Sequence, residues 1–447
     1  LRHQVQEDAD SQLRQQLSQL AATDDDYWSF HGNARREHGH ALMQYPAMMV
    51  PQMVRALLNT IAGADPTVRK IGDPFSGSGT VLTESMLRGY QYFGCDINPL
   101  AVLLCKVKRG PFHLEAVAER AEEAIAAAKR DDGNSIGISF PKRDKWFSER
   151  ARIRLARIRR AIVAEGSLWV RRFLWVALAE TVRLTSNSRT STFKLHKRTL
   201  ADRRRRRPDP VVVFERLVNR NLQHLRSLAK RIDSNLVRGH YAQRVEIALG
   251  DIRRLRRACD PLCDVIITSP PYGDNATTVP YGQYSYLPLQ WIALGDIHPT
   301  ANAEYLRTTH EIDSRSLGGK RSVPADVIAK LELLSPTFAA TVAKLSKEPR
   351  DRAGRVAAFV RDLNQCLPSV LSALRPSGVM VWVLGNRQVA GRPVPLDCIL
   401  RELLEREGAV FITSLQRRIP SKRMAIRNSI ANTMRSETIL VMRKGKS

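Results

Sequence analysis

Cysteine is scarce in this chain, and the six that occur are scattered, with no Cys-x-x-Cys pair among them. Cys259 and Cys263 stand four apart but have no cluster of His beside them. That usage excludes a disulfide framework and a zinc knuckle, so no metal site is expected, and buried, reduced thiols of a cytoplasmic protein fit it instead. Also missing is any apolar run of the roughly 18 residues that a spanning helix needs, so no membrane partner is expected. The first twenty residues are polar and rich in Gln, unlike a secretory signal. The chain opens on Leu1, which leads us to expect an initiator Met or a longer leader before it. Internal repeats are absent, and Arg203–Arg207 is the one low-complexity tract. Acidic residues are outnumbered, 44 against 71 Lys and Arg, for a formal charge of +27. That surplus suits a polyanionic partner, because basic contacts to phosphates release counterions. A generally basic protein would show the same balance.

What is present reads as an α/β protein. Its 447 residues, 43% of them hydrophobic, suffice for one large domain with insertions or for two domains. After a helical or partly disordered arm (1–30), helix and strand signals alternate through 31–110. Helices are expected at 50–61, 80–88 and 100–107, and strands at 68–72 and 92–95. This pitch indicates a parallel, doubly wound sheet. The alternation lapses over 111–244, where amphipathic helices are expected at 115–129, 146–165, 168–185 and 211–232. Strand signals resume at 245–249 and 265–268, within a segment 245–295. The stretch 296–350 has no clear period. A helix at 351–374, a strand at 379–384, a helix at 395–407 and strands at 410–415 and 438–442 complete 351–447.

Four motifs carry chemistry. Asp73-Pro74-Phe75-Ser76-Gly77-Ser78-Gly79-Thr80 joins a strand to a helix. Its glycines let the backbone approach a ligand, and the helix behind it offers free N–H groups. It is neither the dinucleotide Gly-x-Gly-x-x-Gly nor a P-loop, which needs a following Lys. Asp96, in Gly94-Cys95-Asp96-Ile97-Asn98-Pro99, ends the next strand 17 residues after Gly79, where an acid can accept both ribose hydroxyls of a nucleoside. Asp251 follows the strand at 245–249 and suits an adenine amino group, although Gly-Asp is also an ordinary turn. Finally, an apolar strand runs into Ser269-Pro270-Pro271-Tyr272. Two prolines remove N–H donors and leave carbonyls free, Ser offers a hydroxyl and Tyr a ring face; a Pro-Pro turn closing a strand would read alike.

Together these motifs resemble the DNA amino methyltransferases, whose motifs read Asp-Pro-Phe-x-Gly-Ser-Gly-Thr and (Ser/Asp/Asn)-Pro-Pro-(Tyr/Phe). Tyr45-Pro46-Ala47 is similar to the family's motif before the glycine loop, although the family often continues Ala-Lys-Phe where this chain has Ala47-Met48-Met49. The resemblance covers 40–110 and 245–290 well and 376–443 loosely; the insertion 111–244 lies outside it. It implies a Rossmann-like seven-stranded methyltransferase sheet with a large, mainly helical insertion, and S-adenosylmethionine as cofactor. Tyr45, Asp73–Thr80, Asp96, Ile97, Asn98 and Asp251 would hold that cofactor. Ser269 and the Pro270 carbonyl would bond the target amino group of a base flipped from duplex DNA, with Tyr272 stacking on it. Ser before Pro-Pro-Tyr is commoner in enzymes acting on cytosine N4, and Asp or Asn in those acting on adenine N6, so cytosine is favoured over adenine.

The insertion is the expected target-recognition region. Between Ser186 and Arg207 stand nine basic residues (Arg189, Lys194, Lys197, Arg198, Arg203, Arg204, Arg205, Arg206 and Arg207) against the single acid Asp202. We expect them on the nucleic-acid backbone. An RNA substrate, a non-catalytic nucleic-acid-binding subunit of the same fold, and a restriction or defence partner remain open at this stage.

Overall fold

The computed structural model describes residues 2–24, 26–31, 36–206, 208–254, 262–273, 279–320, 322–348, 351–419 and 436–445. Arg207 and Cys259, both singled out above, lie outside the described residues.

Seven strands form one sheet: β1 (Lys70–Asp73), β2 (Gln91–Asp96), β3 (Val245–Leu249), β4 (Cys263–Thr268), β5 (Leu374–Leu384), β6 (Val410–Arg418) and β7 (Ser436–Arg443). Their order is β3-β2-β1-β4-β5-β7-β6. The five strands from β3 to β5 run parallel, and β7 is inserted antiparallel to both β5 and β6. Parallel β1, β2, β3 and β4 therefore all release their chains at the same edge, where open α/β sheets bind ligands.

Alternation along β5 shows how the sheet is covered. Val379, Val381 and Val383 join one apolar cluster, while Met380, Trp382 and Leu384 join a second on the opposite face. The second cluster is closed by α12 (Arg352–Ala373) and α13 (Leu396–Arg406). The first takes in α2 (Pro51–Ala64), α4 (Pro99–Lys108) and the insertion. The insertion consists mainly of α5 (Leu114–Arg130), α6 (Glu149–Ala164), α7 (Leu168–Thr185) and α8 (Pro210–Arg231). It has no separate core: Val117, Leu155, Trp175 and Leu222 belong to the same cluster as the sheet's Ile71 and Val265. Helix ends follow the sequence, with Ser148, Ser167 and Asp209 accepting from the first free N–H groups of α6, α7 and α8.

Three features differ from the sequence reading. The N-terminal arm takes the helical form of the two expected, as α1 (Arg2–Ala22), but it is docked on the sheet: Leu13 and Leu17 are buried, Arg14 Nε donates to the Ile412 carbonyl at 2.8 Å, and Asp10 pairs with Arg443. The stretch without a period contains α10 (Ala325–Leu334) and α11 (Pro336–Leu345), and α9 (Tyr281–Trp291) precedes it. Each is eleven residues or shorter, and such short helices hold by tertiary packing more than by their own pattern. Cys398 is exposed, whereas Cys95, Cys105, Cys263 and Cys366 are buried thiols as expected.

Candidate active site

A cavity lies at the carboxyl edge of β1–β4. Its wall includes Tyr45, Pro74, Phe75, Ser76, Gly77, Ser78, Thr80, Asp96, Ile97, Asn98, Asp251, Ser269 and Pro271. Of the residues expected at the cofactor and the base, these come together. Asp73, Gly79, Pro270 and Tyr272 support the wall without lining it.

The glycine loop is built for close approach. Gly79 begins α3 (Thr80–Met86) at φ +73°, and a Cβ there would sit 2.9 Å from Cys105 Sγ. Ser76 faces inward: its Oγ donates to the Asp73 carbonyl at 3.0 Å and lies 3.0 Å from Tyr92 Oη. A Cβ at Gly94 would fall 2.4 Å from that Oγ and 2.5 Å from Tyr92 Oη, so any other residue there would push both side chains out of place.

Two carboxylates flank the loop. Asp96 accepts from the Gly77 N–H and the Asn98 N–H, each at 2.8 Å, which ties the ends of β1 and β2 together. Burial raises it to about 6 against these bonds, which favour the charge. Asp73 is fully buried. Its Oδ1 accepts from Thr268 Oγ1 at 2.7 Å and from the Phe75 N–H at 3.1 Å, while Oδ2 has no hydrogen-bond partner among the described residues. Burial pushes Asp73 up to about 7. Asn98 caps α4 through Oδ1, and its Nδ2 donates to Tyr45 Oη at 2.9 Å and Ser285 Oγ at 2.8 Å, which fixes the Tyr45 ring in the wall.

Asp251 reaches the cavity already engaged: Arg253 Nε donates to both its oxygens at 2.9 Å, and the Arg253 guanidinium also meets Asp362 at 3.3 Å. The Arg253 backbone N–H donates to Oδ1 at 3.0 Å and Nη2 to Oδ2 at 2.5 Å as well, so a ligand's amino group would have to share this carboxylate with Arg253. Tyr272 turns its hydroxyl to Ser269 and Glu437, and its ring lines a separate small pocket with Phe359 and Arg387.

The sequence reading missed Arg253, Tyr281, Ile312, Arg315–Leu317 and Cys366, all of which line the cavity. Ile312 and Arg315–Leu317 come from the stretch without a period, and no motif marks them. Of the expected nucleic-acid residues, Arg189, Lys194, Lys197 and Arg198 lie on a short hairpin, joined by the Ser188–Lys197 bridge and by Arg189 N–H to the His196 carbonyl at 2.8 Å. That hairpin packs on α9 through Phe193 and Tyr284, and Tyr284 in turn meets the Tyr45 ring edge-on at 5.8 Å. Arg203, Arg204 and Arg205 belong to the short helix Leu200–Arg205, with Arg206 at its end.

The strand order, the antiparallel β7 and the cavity beyond the glycine loop define a Rossmann-like methyltransferase domain. No protein-family model matches the chain. The Type II methyltransferase M.MvaI of Kocuria varians is 31% identical over 454 residues, spanning 98% of each chain. The Type II methyltransferase M.MjaII of Methanocaldococcus jannaschii is 31% identical over 108 residues, 24% of this chain and 20% of that one. The chain belongs to the Type II methyltransferases, a family of DNA methyltransferases. Among solved structures, the rRNA methyltransferase aviRa from Streptomyces viridochromogenes aligns with a TM-score of 0.34 at 12% identity, over 92% of this chain and 96% of that one.

Proposed function

We propose that this methyltransferase uses S-adenosylmethionine to methylate an exocyclic amino nitrogen of a base flipped from duplex DNA, cytosine N4 ahead of adenine N6. The observation that carries the proposal is that Ser269 and Pro271 share one cavity wall with the glycine loop and Asp96. Acceptor for the base and cradle for the cofactor thus face the same space.

The residues fit that cofactor. Asp73 Oδ2, buried behind the loop and without a partner among the described residues, is an acceptor that a ligand donor passing into the loop would meet. Asp96 suits the ribose hydroxyls, and Asp251 an amino group of the adenine. The bound cofactor supplies a methyl group made electrophilic by its sulfonium. The protein's task lies with the base. An exocyclic amino lone pair is delocalised into the ring and is a poor nucleophile. Acceptors on its N–H bonds favour a pyramidal nitrogen and stabilise the positive charge that develops there; Ser269 Oγ stands on the wall for this, and the Pro270 carbonyl, just behind it, would have to turn toward the cavity to be the second. Fixed placement of the two reactants contributes much of the remaining acceleration. Ser269, where the family also uses Asp or Asn, favours the smaller pyrimidine. The hairpin and the short helix between Ser186 and Arg206 supply backbone contacts.

Transfer of labelled methyl groups to duplex DNA and to RNA tests the proposal. Duplex DNA is expected to be the acceptor, and Ser269→Ala is expected to keep cofactor affinity while losing most of the rate. Product on RNA alone, or wild-type turnover by Ser269→Ala, contradicts it.

A further inference from the structure

Because β7 runs antiparallel to its neighbours, its first residues arrive at the edge where β1–β4 end. Glu437 is delivered there, opposite Arg417 of β6 in the ladder. Arg417 Nη1 donates to Glu437 Oε2 at 2.7 Å. Tyr272 Oη donates to Glu437 Oε1 at 3.1 Å, and Ser269 Oγ lies 3.0 Å from Tyr272 Oη.

These contacts set a direction. A phenol has one hydrogen and an ionised carboxylate only accepts, so the Tyr272 hydrogen goes to Glu437. Ser269 must then supply the hydrogen between the two hydroxyls. Burial, with the Glu437 charge beside it, pushes the Tyr272 phenol well above its ordinary range, so it stays protonated. With its only hydrogen committed to Tyr272, Ser269 presents lone pairs alone to the cavity it lines. An amino-bearing base edge offers an N–H to such an atom, whereas a keto-bearing edge offers another acceptor and is repelled.

We infer that Glu437, held by Arg417, is a positioning residue: acting through Tyr272, it fixes Ser269 as a pure acceptor and so makes the site select amino-bearing over keto-bearing bases. This inference rests on the proposed amino methylation. A cross-strand ion pair that merely stabilised the β6–β7 hairpin would act on stability, independently of Tyr272.

The test is single-turnover methylation of DNA by the wild type, Glu437→Gln, Tyr272→Phe and the double variant, with cofactor affinity and melting temperature measured alongside. In Glu437→Gln the amide oxygen turns to Arg417, the stronger charge-assisted partner, and the amide nitrogen donates to Tyr272. The chain reverses and Ser269 offers a hydrogen to the base. The rate constant should fall by more than about tenfold with cofactor affinity unchanged, because a hydrogen bond is lost and an unsatisfied donor is left in its place. Tyr272→Phe leaves the Arg417–Glu437 pair whole. It should lower the rate by roughly three- to tenfold in a protein that still folds and binds the cofactor, and adding Glu437→Gln should then cost no further rate. Wild-type rates in Tyr272→Phe or in folded Glu437→Gln, or the same fractional loss from Glu437→Gln in both backgrounds, would overturn the inference. Should Glu437→Gln not fold, Tyr272→Phe decides alone. Failure of the wild type to methylate DNA is a different result, and it removes the proposed function and this inference together.

Discussion

Asp73 and Asp96 hold charges that burial opposes, and this has consequences that can be measured residue by residue. Their folded-state values, about 7 and about 6, lie above those of an exposed carboxylate. Between roughly pH 4 and 7 the folded, ligand-free protein therefore binds more protons than the unfolded chain, and these two groups make stability fall as pH rises through that window. A ligand that donates hydrogen bonds to them favours the ionised form. Cofactor binding should thus release protons near neutrality and weaken as pH drops from 8 to 5.5. Titration calorimetry in buffers of different ionisation enthalpy checks this; a binding heat independent of buffer would contradict it. Asp73→Asn keeps an Oδ1 for Thr268 and Phe75 while removing the charge. It should raise the melting temperature of the ligand-free protein at pH 8 on the order of 1–3 °C. It should also weaken cofactor binding by about tenfold or more, the worth of a charge-assisted bond. Lower stability together with unchanged affinity would place Asp73 outside cofactor binding. Both aspartates were legible because they belong to contiguous motifs. Arg253 on Asp251 and Glu437 on Tyr272 were not: Arg253 has no motif to mark it, and Glu437 is 165 residues from Tyr272 in sequence.

Among the elements, the strands were read most securely, since buried parallel strands are short apolar runs bounded by turn residues. The strand at 245–249 and the helix at 168–185 match the structure end to end. Pro288 inside α9 and Pro336 opening α11 broke up the pattern where helices were missed. The docking of α1 was also hidden, because its composition is polar and Leu13 and Leu17 are its only deeply buried residues among those described. Leu13→Ala and Leu17→Ala should each cost about 2–5 kcal/mol in chemical denaturation if that packing holds; losses near zero would show a detached arm. For the basic segment, replacing Arg203, Arg204, Arg205 and Arg206 by Gln should weaken DNA binding. It should also flatten the salt dependence, each lost phosphate contact removing about 0.9 from the log–log slope. An unchanged slope would move the backbone contacts elsewhere.

For the molecule as a whole, the helical insertion shares one apolar cluster with the sheet, so the basic hairpin is held in a fixed relation to the cavity through Tyr284 and Tyr45. The formal charge of +27 suits a polyanionic substrate approaching the edge where Ser269 lies. Relatedness over nearly the full chain establishes a DNA methyltransferase, and an amino nitrogen of cytosine is the target proposed for it. The most direct measurement is mass spectrometry of nucleosides from duplex DNA incubated with the protein and S-adenosylmethionine. N4-methylcytosine as the product is the expected result. N6-methyladenine alone would contradict the choice of base, and methylation at a ring carbon or no methylated nucleoside at all would contradict the chemistry assigned to Ser269.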